Sequence, residues 1–135
     1  MTRLQRLFAL GIVLWWGLYF TVTRHAPPPV SAYFAFEDAF PLADLLWLTP
    51  LLLLAARHNA RRTPQAPVWT AASGGTLVFL GLLDFTFNLQ HGLYTHTLAE
   101  GLLNAGVNLA CIGFGLYSLA YALRSLRRAA DPHER

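Results

Sequence analysis

Charge is scarce in this chain. Only 13% of its 135 residues are Asp, Glu, Lys or Arg, against roughly 25% in soluble domains. Lysine is absent, so all ten basic residues are arginines. Cysteine occurs once, at Cys111, which excludes an internal disulfide, a CxxC redox pair and a cysteine-rich zinc site. No Ser/His/Asp order, P-loop or Gly-rich dinucleotide fingerprint is present. The acids and histidines match no metal-ligand spacing. Neither a metal nor a cofactor is therefore expected.

What fills the chain instead is apolar: 55% of the residues are hydrophobic. They gather in four runs, at about 7–23, 40–57, 69–91 and 98–123. Each is long enough to cross a bilayer, which takes about 20 residues and tolerates about 17. Lipid offers the backbone no hydrogen bonds, so each run must be a helix. The first run has arginines before it but no small-x-small cleavage site after it, and reads as a retained helix rather than a signal peptide. The expectation is a single integral domain over residues 1–135. Its fold class is an all-α membrane protein, a four-transmembrane-helix up-down-up-down bundle.

The arginines orient it. Arg3 and Arg6 precede the first run, Arg57, Arg61 and Arg62 separate the second from the third, and Arg124, Arg127, Arg128 and Arg135 follow the fourth. Only Arg24 falls on the other side. Positive charge marks the cytoplasmic face, so both termini are expected to be cytoplasmic. The expected location is a cell membrane, multi-pass, of the bacterial inner-membrane kind. Basic tails of this sort need no nucleic acid; their expected partner is the bilayer and its anionic headgroups. The outer loop at residues 24–39, "RHAPPPVSAYFAFEDA", starts with three prolines and turns aromatic and acidic, a composition suited to lying on the membrane surface.

Polar residues inside the runs are the informative minority. At a rise of about 1.5 Å per residue, Asp84 lies roughly 6 Å to the outer side of the third run's midpoint, and Asn108 lies roughly 3 Å outward in the fourth. Asp44 falls at a similar level in the second run. The positions 84, 88 and 91 share one helical face, as do 100, 104 and 108. The third and fourth runs are joined by a short loop and must be antiparallel. Each step down one helix is then matched by a step up the other. Three facing pairs follow: His91 with Glu100, Asn88 with Asn104, and Asp84 with Asn108. All strongly polar side chains are expected in the outer half, around a pocket open or openable to the outside, above an apolar inner half.

An Asp near a helix centre costs about 2.5–3.5 kcal/mol, while each Leu or Phe returns about 0.3–0.6. The third run therefore inserts well only with partners. Small residues, among them Gly74, Gly75, Gly81, Gly101, Gly106 and Gly113, let helices approach. Pro50 removes a backbone donor and predicts a kink in the second run.

Intramembrane ionisable residues are functional candidates by default. The candidate ligand-binding residues are Asp44, Asp84, Asn88, His91, Glu100, Asn104 and Asn108. The favoured expectation is a small polytopic membrane protein that binds or transports a small ligand or amphiphile, as a homodimer because four short helices enclose little space. Two alternatives stand beside it. One is an intramembrane acid–base enzyme, an isomerase or lipid-modifying enzyme, using Asp84, His91 or Glu100. The other is a structural or accessory subunit whose amides are interhelical glue.

Overall fold

The computed structural model describes residues 1–130; Arg135, counted above with the arginines after the fourth run, lies outside them. Among the described residues the chain is helical and contains no strand. Helix α1 spans Thr2–Thr21. After a 3-10 turn at Thr23–His25 come two short helices, α2 at Tyr33–Glu37 and α3 at Phe40–Ala43. A π-helical turn at Asp44–Leu48 leads into α4 at Thr49–Ala60. Helix α5 spans Ala66–Gln90, α6 is the single turn Leu93–His96, and α7 spans Leu98–Ala130. Four of these segments are long and apolar enough to cross a membrane: Thr2–His25, Tyr33–Ala60, Ala66–Gln90 and Leu98–Ala130.

The surface is apolar where a soluble protein's would be polar. Leu7, Leu14, Leu42, Leu46, Trp47, Phe79 and Leu109 all face outward. The buried cluster is small by comparison, built on Ala9, Leu48, Leu52, Leu77 and Phe114. A surface this continuous in apolar side chains calls for an apolar solvent.

The helices pack in chain order, α1 on α4, α4 on α5 and α5 on α7. The most extensive interface is between α5 and α7. It follows the register expected from the polar pairs, and glycine sets its distance. Gly74 lies so close to α7 that a Cβ there would stand 2.8 Å from the Gly115 carbonyl and 2.9 Å from Ser118 Cβ. A Cβ on Gly81 would stand 2.9 Å from Ile112 Cγ1 and 3.2 Å from Cys111 Cβ. Four of the expected contact glycines behave differently. Gly75, Gly106 and Gly113 have nothing within 4 Å of a Cβ position, and Gly101 abuts the Tyr94 backbone rather than α5.

Pro50 does not break its helix. The strain moves one turn upstream, where the Thr49 amide donates to the Asp44 carbonyl five residues back. That wider turn relieves the ring's clash with the carbonyl four residues before it. The loop from α5 to α7 is short because Gly92 takes a left-handed conformation, φ +68°, and starts α6 at once.

Polar contacts also occur at the opposite end of the bundle, at the margins of the expected runs. A polar knot ties α1, α4 and α5 at the end carrying the termini. Asn59 Nδ2 lies 2.7 Å from Thr70 Oγ1, 3.1 Å from Gln5 Oε1 and 2.9 Å from the Ala55 carbonyl, and Gln5 Nε2 donates to Thr70 Oγ1 at 3.3 Å. Gln5 and Thr70 are fully buried.

Candidate functional site

Helices α1 and α7 are the outer members of the row, and they do not pack side by side. They meet through the stacked rings of Phe8 and Phe114, 4.2 Å apart. Beyond that stack the space between them is a cleft of about 440 Å³. Helix α1 supplies Gly11, Ile12, Trp15 and Trp16, and α7 supplies Asn104, Val107, Asn108, Ala110 and Cys111. The back wall is Leu48 and Leu77, with Gly81 and Asp84 above them. The lips carry exposed residues on both sides, Leu7 on α1 and Ala110 on α7. The cleft therefore opens on the flank of the bundle.

Its far end is covered by the segment that follows the prolines. Glu37 and Phe40, from α2 and α3, line the cleft from above. Two anchors hold this roof. Tyr19 donates its hydroxyl to Asp38 at 2.7 Å, and Arg24 pairs with Asp38 at 3.1 Å. Phe36 stacks on Phe87 of α5 at 3.8 Å. The aromatic, acidic piece of the outer loop is thus folded against the bundle rather than spread along a surface.

Asp44 and Asp84 both line the cleft, as do Asn104 and Asn108. Asp44 accepts a hydrogen bond from the Trp16 indole at 2.9 Å. Asp84 lies beside Asn88 and Asn108, as the expected register requires. Asn108 is 2% exposed; its Nδ2 donates to the Tyr94 hydroxyl at 2.7 Å, while its Oδ1 is buried without a partner. Asn88 is equally buried, but it packs behind the cleft wall and makes no hydrogen bond to Asn104. The Tyr94 hydroxyl is pushed above its ordinary value, first by burial, against the pull of its bond with Asn108.

The pairing of His91 with Glu100 is not formed. The His91 ring stacks on Phe87 at 4.1 Å and its Nδ1–H donates to the Phe87 carbonyl at 3.0 Å. Glu100 takes nearer partners, His96 Nδ1 at 2.7 Å and Thr97 Oγ1 at 3.0 Å, while its own amide donates to Thr97 Oγ1 at 3.2 Å. That is the T-x-x-E start of a helix. Both residues lie outside the cleft.

Glu37 is the residue that sequence reasoning missed. It joins Asp44 and Asp84 at the head of the cleft, within electrostatic reach of both. A signal existed: positions 37 and 44 are seven apart, two turns on one helical face. Among the described residues, none of the side chains lining the cleft is basic. Nor do any three His, Cys, Asp or Glu side chains converge closely enough to hold a metal ion.

Comparison with protein-family models, with curated proteins and with solved structures finds no match for this chain.

Proposed function

We propose that this chain is a multi-pass membrane protein, both termini cytoplasmic, that binds a small amphiphile in its flank cleft and carries it within the bilayer. The orientation rests on the arginines: those at the end carrying the termini face the cytoplasm. The cleft then opens to lipid, with its acids and amides in the extracytoplasmic half. The observation that carries this reading is the combination within one cavity. Aliphatic and indole walls occupy its length, while Glu37, Asp44, Asp84, Asn104 and Asn108 gather at one end. Pockets that bind small molecules have this make-up, mostly apolar with a few convergent polar groups. A single chain already encloses a volume in the range of small-molecule sites, about 300–1,000 Å³, so binding requires no second copy.

Glycine at position 11 provides the test. A Cβ there meets nothing within 4 Å, and the position lines the cleft. Gly11→Phe should fill the cavity without disturbing a helix contact. Gly17, on the same helix, is equally free of neighbours and does not line the cleft. Purified protein equilibrated with a total lipid extract should retain a small molecule, identified by mass spectrometry after denaturation. Gly11→Phe should lose it and Gly17→Phe should keep it. Identical retained molecules in both variants, or none in the parent chain, would refute the proposal.

A further inference from the structure

We infer that the ligand is an organic cation with an apolar body, its positive head lodged among Glu37, Asp44, Asp84 and the amide oxygen of Asn108. This rests on the amphiphile-binding reading above and assigns the sign of the ligand's charge. Three acids line one end of the cleft, and among the described residues the only side-chain hydrogen bond to Asp44 comes from an indole. Glu37 receives no side-chain hydrogen bond and no ion pair among the described residues, and Arg24, on the same side of the bundle, is engaged by Asp38. Acids drawn away from water without a basic partner are costly. A cationic head would offset that cost.

Asn108 points the same way. Its amide nitrogen donates to Tyr94, which does not line the cleft, and lies beside Asp84, while its oxygen is buried and unpartnered among the described residues. Only a donor or a positive charge satisfies an amide oxygen. The walls suit the same guest. Trp15, Trp16 and Phe40 line the cleft together with the acids, and aromatic rings attract ammonium groups. A bare metal ion is disfavoured by the spread of the acids. A bulky ammonium, whose charge is distributed over several carbons, tolerates that spread.

The probes are decyltrimethylammonium, its uncharged carbon isostere carrying a tert-butyl group in place of the trimethylammonium, and decanesulfonate. Each is titrated into the full chain in phosphatidylcholine nanodiscs. The W47F/W69F background leaves Trp15 and Trp16 as the only emitting indoles. The cation should perturb their emission at a concentration at least tenfold lower than the isostere, and the sulfonate should not compete. Combining Glu37→Gln with Asp84→Asn should erase the tenfold preference while leaving the isostere's affinity unchanged, which also reports that the cleft is still folded. Equal binding of cation and isostere, both lost in Gly11→Phe, would overturn the charge assignment and leave the amphiphile reading standing. Tighter binding of the sulfonate would overturn the charge assignment as well. No response to any probe would overturn both.

Discussion

Replacing Gly115 by alanine adds one methyl group, and the structure fixes what it meets. The new Cβ would stand 2.7 Å from Val78 Cγ2, 2.8 Å from the Gly74 carbonyl and 3.0 Å from the Val78 amide nitrogen. Carbon pairs are most comfortable at about 3.5–4.0 Å, so the methyl is short of room by about an ångström. Val78 can turn its side chain, but the other two atoms are backbone of α5 and move only if the helices part. Overpacking of this kind costs about 1–3 kcal/mol, while alanine's better helix propensity returns up to about 1 kcal/mol. The net expectation is a loss of about 0.5–2 kcal/mol. Gly113→Ala, two residues away, receives the propensity gain and meets nothing within 4 Å, so it should be neutral or stabilising. The unfolding midpoint in a titration of mixed micelles with dodecyl sulfate reads the difference directly. Equal shifts for the two variants, or a stabilised Gly115→Ala, would show that α5 and α7 do not approach as described, and Asp84 would then not face Asn108.

Three further outcomes are expected. Trp16→Phe removes the only side-chain donor to Asp44 among the described residues. It should destabilise the protein by about 1.5–3 kcal/mol in the same titration, the range for a hydrogen bond to a charged group. Trp15→Phe, with no such bond among the described residues, should do less. Asn59→Ala unties the knot between α1, α4 and α5. Its cost should be about 1–2 kcal/mol, since interhelical bonds in membranes contribute about 0.6 and at most about 1.7 each; an unchanged midpoint would show the knot to be idle. Finally, in a Cys111→Ala background, Pro28→Cys and Ala60→Cys should react with a membrane-impermeant maleimide from opposite faces of oriented vesicles, and labelling from the same face would contradict the bundle topology.

Much of this architecture was legible beforehand because lipid simplifies the reading. Apolar runs of sufficient length declared the four long helices, and two stripes at helical spacing fixed the α5–α7 register before any contact was known. The Asp84–Asn108 juxtaposition follows from that register. The pairing of His91 with Glu100 failed for a local reason. Extrapolating a register past the helix ends ignores the loop, and His96 and Thr97 reach Glu100 first because they sit four and three residues from it. Glu37 was hidden by its neighbours in sequence. Three prolines made the segment look like surface loop, although helix resumes at Tyr33 and carries Glu37 round to the face of Asp44. The knot at the other end had no sequence signal. Gln5, Asn59 and Thr70 come from three helices, and nothing short of tertiary packing relates them.

The widened turn before Pro50 has one more consequence. At 3.6 residues per turn, positions eight apart overshoot a common direction by about a fifth of a turn. A uniform α-helix would therefore let Asp44 and Leu52 drift out of phase. A single π turn takes up the drift, as a leap day corrects a calendar, so that Asp44 keeps its place at the cleft while Leu52 and Ala55 stay locked against their neighbours. Removing one residue from that turn would leave the segment long and greasy enough to span a bilayer by any composition measure, yet would wheel the carboxylate away from the cavity.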